Sequence, residues 1–197
     1  KKAGVGESIV MCVPSGNFGN ITAGLIAHRM GLPVKRFIAA NNANNVFFNY
    51  LQNGVYEPKA SVSTIANAMD VGDPSNFARI LDLYGNDHDR IMSLISGTTY
   101  SDGLISATMA DCFDRTGYLL DPHGAVGYRA LKQLLLPGEV GVFLETAHPA
   151  KFKDTVESMV NTTVEMPARL YAFMRGTRQT IPMTSEFSDF KSYLKQL

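Results

Sequence analysis

Five consecutive apolar residues, Ile-Val-Met-Cys-Val at positions 9–13, are followed directly by a Pro-Ser-Gly turn. The run lacks the alternation of a strand with one wet face, so it predicts a strand covered on both faces, as in a parallel sheet. Residues 21–30 then show helical spacing that ends at Gly31, and residues 34–40 predict a second strand. Because parallel strands need a crossover, residues 8–40 predict one right-handed strand-helix-strand unit.

A second alternation of helix and strand, late in the chain, predicts that the sheet is built from both ends. Its members are a helix at 122–136, a strand at 140–144 and a helix at 150–160. Between the two units we expect helices at 74–84, 87–96 and 102–115, with N-caps at Asp73, Asp87 and Asp102. Residues 179–197 predict a short strand and a final helix. The predicted fold class is therefore α/β with a parallel sheet.

The charges balance, with 18 basic and 18 acidic residues, which argues against a nucleic-acid or membrane-surface role. At 197 residues and 45% apolar composition the chain has the size of one domain, and a small metabolite is the expected partner. Cys12 and Cys112 lie in apolar or helical patterns typical of buried, reduced thiols, so a cytoplasmic location is expected. No metal site is predicted, because His88 lacks a second ligand at suitable spacing.

The segment Ser15-Gly16-Asn17-Phe18-Gly19-Asn20, hereafter the glycine loop, lies between the first strand and its helix. It therefore falls at the carboxyl edge of the sheet, where open α/β folds bind ligands. We expect its two glycines to supply positive φ angles and a close approach to an anion, and the following helix to direct N–H groups at it. The loop lacks the signatures of nucleotide and dinucleotide sites, so phosphate is the expected ligand. A plain strand-to-helix turn would use the same residues, and spacing alone does not choose between them.

Five stretches in the same order resemble the threonine synthases, a family of fold-type II pyridoxal phosphate enzymes. They are Val-Pro-Ser-Gly-Asn-Phe-Gly-Asn at 13–20, Ala-Asn-Asn-Ala-Asn at 40–44, Asn-Ala-Met-Asp-Val-Gly-Asp-Pro-Ser-Asn-Phe at 67–77, Asp-Pro-His-Gly-Ala-Val-Gly-Tyr at 121–128 and Glu-Thr-Ala-His-Pro-Ala-Lys-Phe at 145–152. The resemblance implies the three-layer, tryptophan synthase beta-like fold. It also implies that residues 1–197 are the C-terminal, cofactor-binding part of a longer enzyme, with the upstream half of the fold missing. The start of the chain, which has no methionine, favours the same interpretation.

The resemblance implies pyridoxal phosphate as cofactor. Its phosphate would be held by Gly16, Asn17, Phe18, Gly19 and Asn20, and its ring nitrogen by Thr146. An N-cap for the helix near Pro149 is the structural alternative for Thr146. Weaker candidates on the substrate side are Asp70, Ser75, Asn76 and Asn42, for which helix capping and turn formation are the alternatives.

The implied reaction converts O-phosphohomoserine and water to threonine and phosphate, a carbon–oxygen lyase reaction. In the family the lysine that holds the cofactor covalently precedes the glycine loop, so it lies upstream of residue 1 and the chain alone is expected to be inactive. Lys153 stands in a Phe-Lys-Asp tripeptide like that of the family, but it falls after Thr146, and we expect Lys151 and Lys153 to be solvated.

Two alternatives to this assignment stay open. A related dehydratase or a cysteine synthase would share the loop, although the long segment at 41–100 argues against these compact relatives. A non-catalytic module that binds a phosphorylated ligand would keep the loop without the lysine. A homodimer is a possible assembly.

Overall fold

The computed structural model describes residues 9–197, so the expectations for residues 1–8 lie outside the described part. The chain divides into two compact units, with the boundary between Val164 and Glu165. The size of the chain had favoured one domain. The first unit contains strands β1 (Ile9–Pro14), β2 (Arg36–Asn41), β3 (Ile95–Thr99) and β4 (Val140–Phe143). Its helices are α1 (Gly19–Arg29), α2 (Val46–Asn53), α3 (Phe77–Leu83), α4 (His88–Leu94), α5 (Asp102–Thr116), α6 (Pro122–Leu134) and α7 (Lys153–Val160), with 3₁₀ turns at Asn67–Met69 and Pro149–Phe152.

The four strands form one parallel sheet in the order β3-β2-β1-β4, so the expected α/β class and the early strand-helix-strand unit are confirmed. Strand β1 is central, and its Val10 and Cys12 are fully buried. Helix α1 packs closely on β2, because a Cβ at Gly24 would lie 2.9 Å from the Phe37 ring. On α6, Gly127 accepts a hydrogen bond from the Cys12 thiol at 3.2 Å. Burial raises the pKa of that thiol to about 12, which makes it a packing group.

The helix expected at 87–96 is shorter than predicted, because its last two residues belong to strand β3. The helix ends at Leu94, and residues 95–99 pair with β2 in register from Phe37 to Asn41. The segment Ile-Ser-Gly-Thr-Thr contains β-branched residues that fit a pleated sheet, and pairing with β2 overrides the helical pattern. A Cβ at Gly97 would lie 2.8 Å from the Leu51 side chain, so α2, which the sequence did not reveal, covers this strand.

Two of the three expected N-caps are wrong. Asp87 accepts from the Arg90 backbone N–H at 3.1 Å and caps α4 as expected. Asp73 instead accepts from the Tyr56 hydroxyl at 2.7 Å, because α3 begins later, at Phe77. Asp102 lies inside the first turn of α5 and accepts from the Ile65 N–H at 3.3 Å. Asp73 therefore joins two parts of the long segment between β2 and β3, and Asp102 joins that segment to α5.

The second unit contains α8 (Ala168–Met174) and α9 (Phe187–Leu194). The final helix expected from the sequence is present, whereas the short strand expected after residue 179 is absent and α8 was not foreseen. The Thr184 hydroxyl accepts from the Glu186 N–H at 3.2 Å just before α9 begins. No helix among residues 9–197 is both long and apolar enough to cross a membrane.

Candidate functional site

A cavity of about 270 Å³ opens at the carboxyl end of β1, on the edge of the sheet where the sequence placed a ligand. The glycine loop forms one part of its wall. Pro14 and Ile21, which flank that loop, also line the cavity. The remaining lining residues come from three other places in the chain: Ala68 and Met69, His123, and the segment that contains Thr146, Ala147, Lys151 and Phe152. The structure therefore brings the loop and Thr146 to one cavity, as the sequence predicted.

The backbone at Phe18 sets the shape of the loop. Phe18 precedes α1 with φ 62° and ψ 15°, a left-handed conformation that is rare for a bulky residue. Its side chain is buried, with its ring centroid 4.5 Å from that of Phe47 on α2. This packing holds the strained conformation and starts α1 at Gly19. The first N–H groups of α1 have no intrahelical acceptor and no side-chain cap, so they can receive an anion.

The two glycines of the loop do not have the positive φ angles that we expected from the sequence. Gly16 is required by a close approach, because a Cβ there would lie 2.6 Å from Met69 Cα and 3.1 Å from the Ala68 carbonyl oxygen. A Cβ at Gly19 would meet only Asn76 Nδ2, at 3.8 Å. The left-handed turn thus belongs to Phe18, and the small size of Gly16 lets the 3₁₀ turn at Asn67–Met69 contact the loop.

Asn17 connects the loop to the start of α3. Its Oδ1 accepts from the Ser75 N–H at 2.7 Å and from the Ser75 hydroxyl at 3.1 Å. Its carbonyl oxygen accepts from Asn76 Nδ2 at 2.8 Å. No hydrogen bond within residues 9–197 uses Asn17 Nδ2, which remains available to a ligand. Ser75 and Asn76, expected on the substrate side, therefore position the loop.

The other two substrate-side candidates are joined to each other. Asp70 Oδ1 accepts from Asn42 Nδ2 at 2.8 Å, from the Thr64 hydroxyl at 2.7 Å and from Asn44 Nδ2 at 3.1 Å. Asn42 is fully buried, and neither it nor Asp70 lines the cavity. This network fixes the chain between β2 and the 3₁₀ turn at Asn67–Met69.

Thr146 lines the cavity two residues before the cap of the following 3₁₀ turn. His148 is that cap, because its Nδ1 accepts from the Ala150 N–H at 3.1 Å. The alternative in which Thr146 acts as the N-cap is therefore wrong.

His123, Met69 and Lys151 line the cavity although the sequence did not assign them to it. His123 Nε2 accepts from the Ala68 N–H at 3.1 Å, which requires Nδ1 to carry the proton and donate to Asp121 Oδ1 at 2.6 Å. The Asp-Pro-His run at 121–123 was the available signal in the sequence, but such a run also suits a tight turn. Lys151 belongs to the cavity wall, whereas Lys153 points to Glu157, 3.5 Å away, in an exposed ion pair.

This site and fold define a class of protein. A family model described as Pyridoxal-phosphate dependent enzyme matches residues 3–144, and the chain belongs to that family. A second model, described as Threonine synthase, C-terminal, matches residues 124–194. Among curated proteins the chain is 42% identical over 188 residues to the threonine synthase of Haemophilus influenzae, covering 95% of this chain and 44% of that protein. It is 46% identical over 179 residues to that of Escherichia coli, covering 91% and 40%.

Solved structures give the same result. The Escherichia coli threonine synthase structure superposes with a TM-score of 0.83 at 39% identity, covering 98% of this chain and 44% of that one. A structure of pyridoxal phosphate-bound threonine synthase from Brucella melitensis matches with a TM-score of 0.83 at 30% identity, covering 96% and 46%. The resemblance drawn from the sequence motifs is confirmed. The chain spans less than half the length of these relatives.

Proposed function

We propose that this chain holds pyridoxal phosphate as part of a threonine synthase, which converts O-phosphohomoserine and water to threonine and phosphate. The observation that carries the proposal is the single cavity lined by both the glycine loop and Thr146. Its relatives at 42% and 46% identity are threonine synthases, which supports the choice of reaction. A related lyase is less favoured, since the threonine deaminase of Solanum lycopersicum shares only the fold, at 16% identity and a TM-score of 0.56.

The residues present fit the phosphate end of the cofactor. The N–H groups at the start of α1 carry the partial positive charge of the helix, and Gly16, which has no side chain, leaves its backbone open to an anion. We assign the phosphate to the backbone N–H groups of residues 16–20 and to Asn17 Nδ2. Asn17 Oδ1, held by Ser75, fixes the direction of that amide.

Thr146 fits the ring end. When bound, pyridoxal phosphate supplies a ring that accepts electrons from the substrate carbon beside the amino group. The Thr146 hydroxyl would hydrogen-bond the ring nitrogen without a full countercharge, so the ring stays closer to neutral than it would beside an aspartate. This environment suits elimination and replacement further along the substrate chain. Asp70, Ser75, Asn76 and Asn42 would act on the substrate indirectly, through the loop and the turn that they hold.

A lysine that attaches the cofactor is the missing part of this assignment. Lys151 lines the cavity, but it follows the ring-nitrogen residue in the chain, whereas the lysine of the family precedes the glycine loop. We therefore propose that residues 1–197 alone bind the cofactor without covalent attachment and do not turn over substrate. The lysine would come from sequence upstream of residue 1.

Absorption spectroscopy and a turnover assay test this proposal together. The protein expressed from the complete reading frame that contains this chain should show the visible band of lysine-attached pyridoxal phosphate and release phosphate from O-phosphohomoserine. Residues 1–197 should show neither property, and Lys151→Ala in the complete protein should keep the band. Borohydride reduction followed by peptide mass spectrometry locates the attached lysine. Attachment at Lys151 would contradict the assignment.

Substitution of Asn17 by aspartate separates a phosphate site from a plain turn. Asn17→Asp keeps an oxygen for Ser75, so the fold should be retained, but it places a negative charge where the phosphate is assigned. Like charges about 4 Å apart repel by about 1 kcal/mol in water and by about 4 kcal/mol near a protein surface, so pyridoxal phosphate should bind at least ~5-fold more weakly. Titration with the cofactor at low and high salt measures the change, which salt should reduce. Unchanged affinity would favour the plain turn.

A further inference from the structure

Behind the cavity lies a pair of acids, one buried and one half-buried, that the proposed function does not use. Asp121 is fully buried at the N-terminus of α6, and Glu145 follows β4 immediately before Thr146. Asp121 Oδ2 and Glu145 Oε2 are both shielded from solvent, and neither has a hydrogen-bond donor among the described residues. Two carboxylates cannot satisfy each other, because an ionised carboxylate only accepts hydrogen bonds. One proton placed between them would satisfy both oxygens.

We propose that Asp121 and Glu145 share one proton, carried by Glu145, and that this proton makes Glu145 a positioning residue for the cavity. The role of Glu145 in the cavity rests on the proposed function, in which this cavity holds the cofactor. The proton itself can be detected whether or not a cofactor binds.

The surroundings decide which acid is ionised. Asp121 Oδ1 accepts from the His123 N–H at 2.8 Å and from His123 Nδ1 at 2.6 Å, and it lies at the positive end of α6. Burial opposes its ionisation, but the hydrogen bonds from His123 and Glu145 lower the pKa of Asp121. For Glu145, burial, the hydrogen bond with Asp121 and the charge of Asp121 together raise the pKa to about 8. Glu145 is thus the donor at neutral pH.

The packing leaves the Glu145 carboxyl little room to move. A Cβ added at Gly124, in the first turn of α6, would collide with both of its oxygens. Its Oε1 also faces the Asp121 N–H at 3.4 Å. The titratable groups that face the pair are His123 on α6 and the Tyr118 hydroxyl; the Cys112 thiol on α5 lies near Tyr118, and Lys151 lines the cavity. Lys151 makes no ion pair with either acid within residues 9–197, and His123 is held as the neutral Nδ1-protonated form, so neither group neutralises a second carboxylate.

A chain of hydrogen bonds leads from this proton to the glycine loop. The Glu145 O–H donates to Asp121, Asp121 accepts from His123 Nδ1, and His123 Nε2 accepts from the Ala68 N–H. Ala68 lies in the 3₁₀ turn that contacts Gly16. The same proton therefore connects the strand end that carries Thr146 with the turn that supports the phosphate side of the cavity.

The variants Glu145→Gln and Glu145→Ala test the shared proton in the protein expressed from the complete reading frame. A glutamine keeps a donor for Asp121 Oδ2 and an acceptor for the Asp121 N–H, but it cannot ionise. Native Glu145 keeps its proton up to about pH 8, whereas unfolded Glu145 loses it near its ordinary pKa. Stability of the wild type should therefore fall as pH rises between those two values and level off above the higher one.

We expect the thermal midpoint of Glu145→Gln to lack this fall between about pH 5 and 8, while Glu145→Ala should be destabilised throughout. Infrared difference spectra at pH 7 should show the carbonyl stretch of a protonated carboxylic acid in the wild type and its loss in Glu145→Gln. Affinity for pyridoxal phosphate should fall above pH 8 in the wild type and stay level in Glu145→Gln. Equal pH profiles and no acid band would overturn the shared proton. Expected profiles without any cofactor binding would overturn the proposed function and leave the shared proton standing.

Discussion

Replacing Gly16 with alanine should weaken pyridoxal phosphate binding by ~30- to 150-fold. The new Cβ would lie 2.6 Å from Met69 Cα, which is backbone and cannot rotate away. Forcing an extra carbon into a filled space costs about 2–3 kcal/mol, here by displacing either the loop or the 3₁₀ turn at Asn67–Met69. The measurement is the dissociation constant from spectroscopic titration, together with the thermal midpoint.

Gly19→Ala is the matched control, because it adds the same carbon to the same loop. Its Cβ would meet Asn76 Nδ2 at an ordinary 3.8 Å, and the backbone N–H is kept. This variant should bind the cofactor within about threefold of the wild type, a change of less than 1 kcal/mol. If the two alanines weaken binding equally, the explanation from contact with Met69 is wrong.

Arg36→Met should lower the free energy of unfolding by about 2 kcal/mol, because it removes two charge-assisted hydrogen bonds and leaves the shielded carboxylate with only Lys35 and the Leu136 N–H as partners. The Glu139 side chain is only 2% exposed, and it accepts from Arg36 Nη2 at 2.6 Å and from Arg36 Nε at 3.0 Å. Arg36 Nη2 also donates to the Leu134 carbonyl at 2.7 Å. The pair thus joins β2, the end of α6 and the start of β4 at the opposite edge of the sheet from the cavity. Denaturant unfolding measures the loss.

The double variant Arg36→Met with Glu139→Leu should recover most of that loss, since an apolar pair leaves no buried charge. A second check is acid titration of the wild type. The hydrogen bond from Arg36, opposed by burial and aided by the Leu136 N–H and Lys35, lowers the pKa of Glu139 to about 2. Its contribution is complete above the ordinary pKa and is lost as pH falls toward 2. A double variant as unstable as the single one would show that the cost is not electrostatic.

The parts of the fold that depend on residues adjacent in the chain could be predicted from the sequence. The apolar run at 9–13 and the small residues of α1 identify a buried strand and a helix close to it, and both are confirmed. Strand β3 could not be read in this way, because its identity comes from pairing with β2. The same holds for Asp73 and Asp102, whose partners Tyr56 and Ile65 are brought near by the fold.

The candidate site shows the same division. The location of the loop and of Thr146 at one edge follows from the order of strand, loop and helix. The sequence could not show why a glycine is required at position 16, because the contacting Met69 comes from a distant segment. The left-handed residue was also misplaced, since only the burial of Phe18 against Phe47 allows a bulky side chain there. Such long-range contacts leave no local pattern.

The packing of Phe18 on Phe47 has a thermodynamic consequence for ligand capture. Phe47 in turn contacts Phe77 on α3, with centroids 5.8 Å apart, so three aromatic rings anchor the bend from below. A bend that is already rigid loses little conformational entropy when an anion arrives. The conformational entropy of the bend is already lost when the protein folds. Binding of the anion should therefore proceed with only a small change in heat capacity.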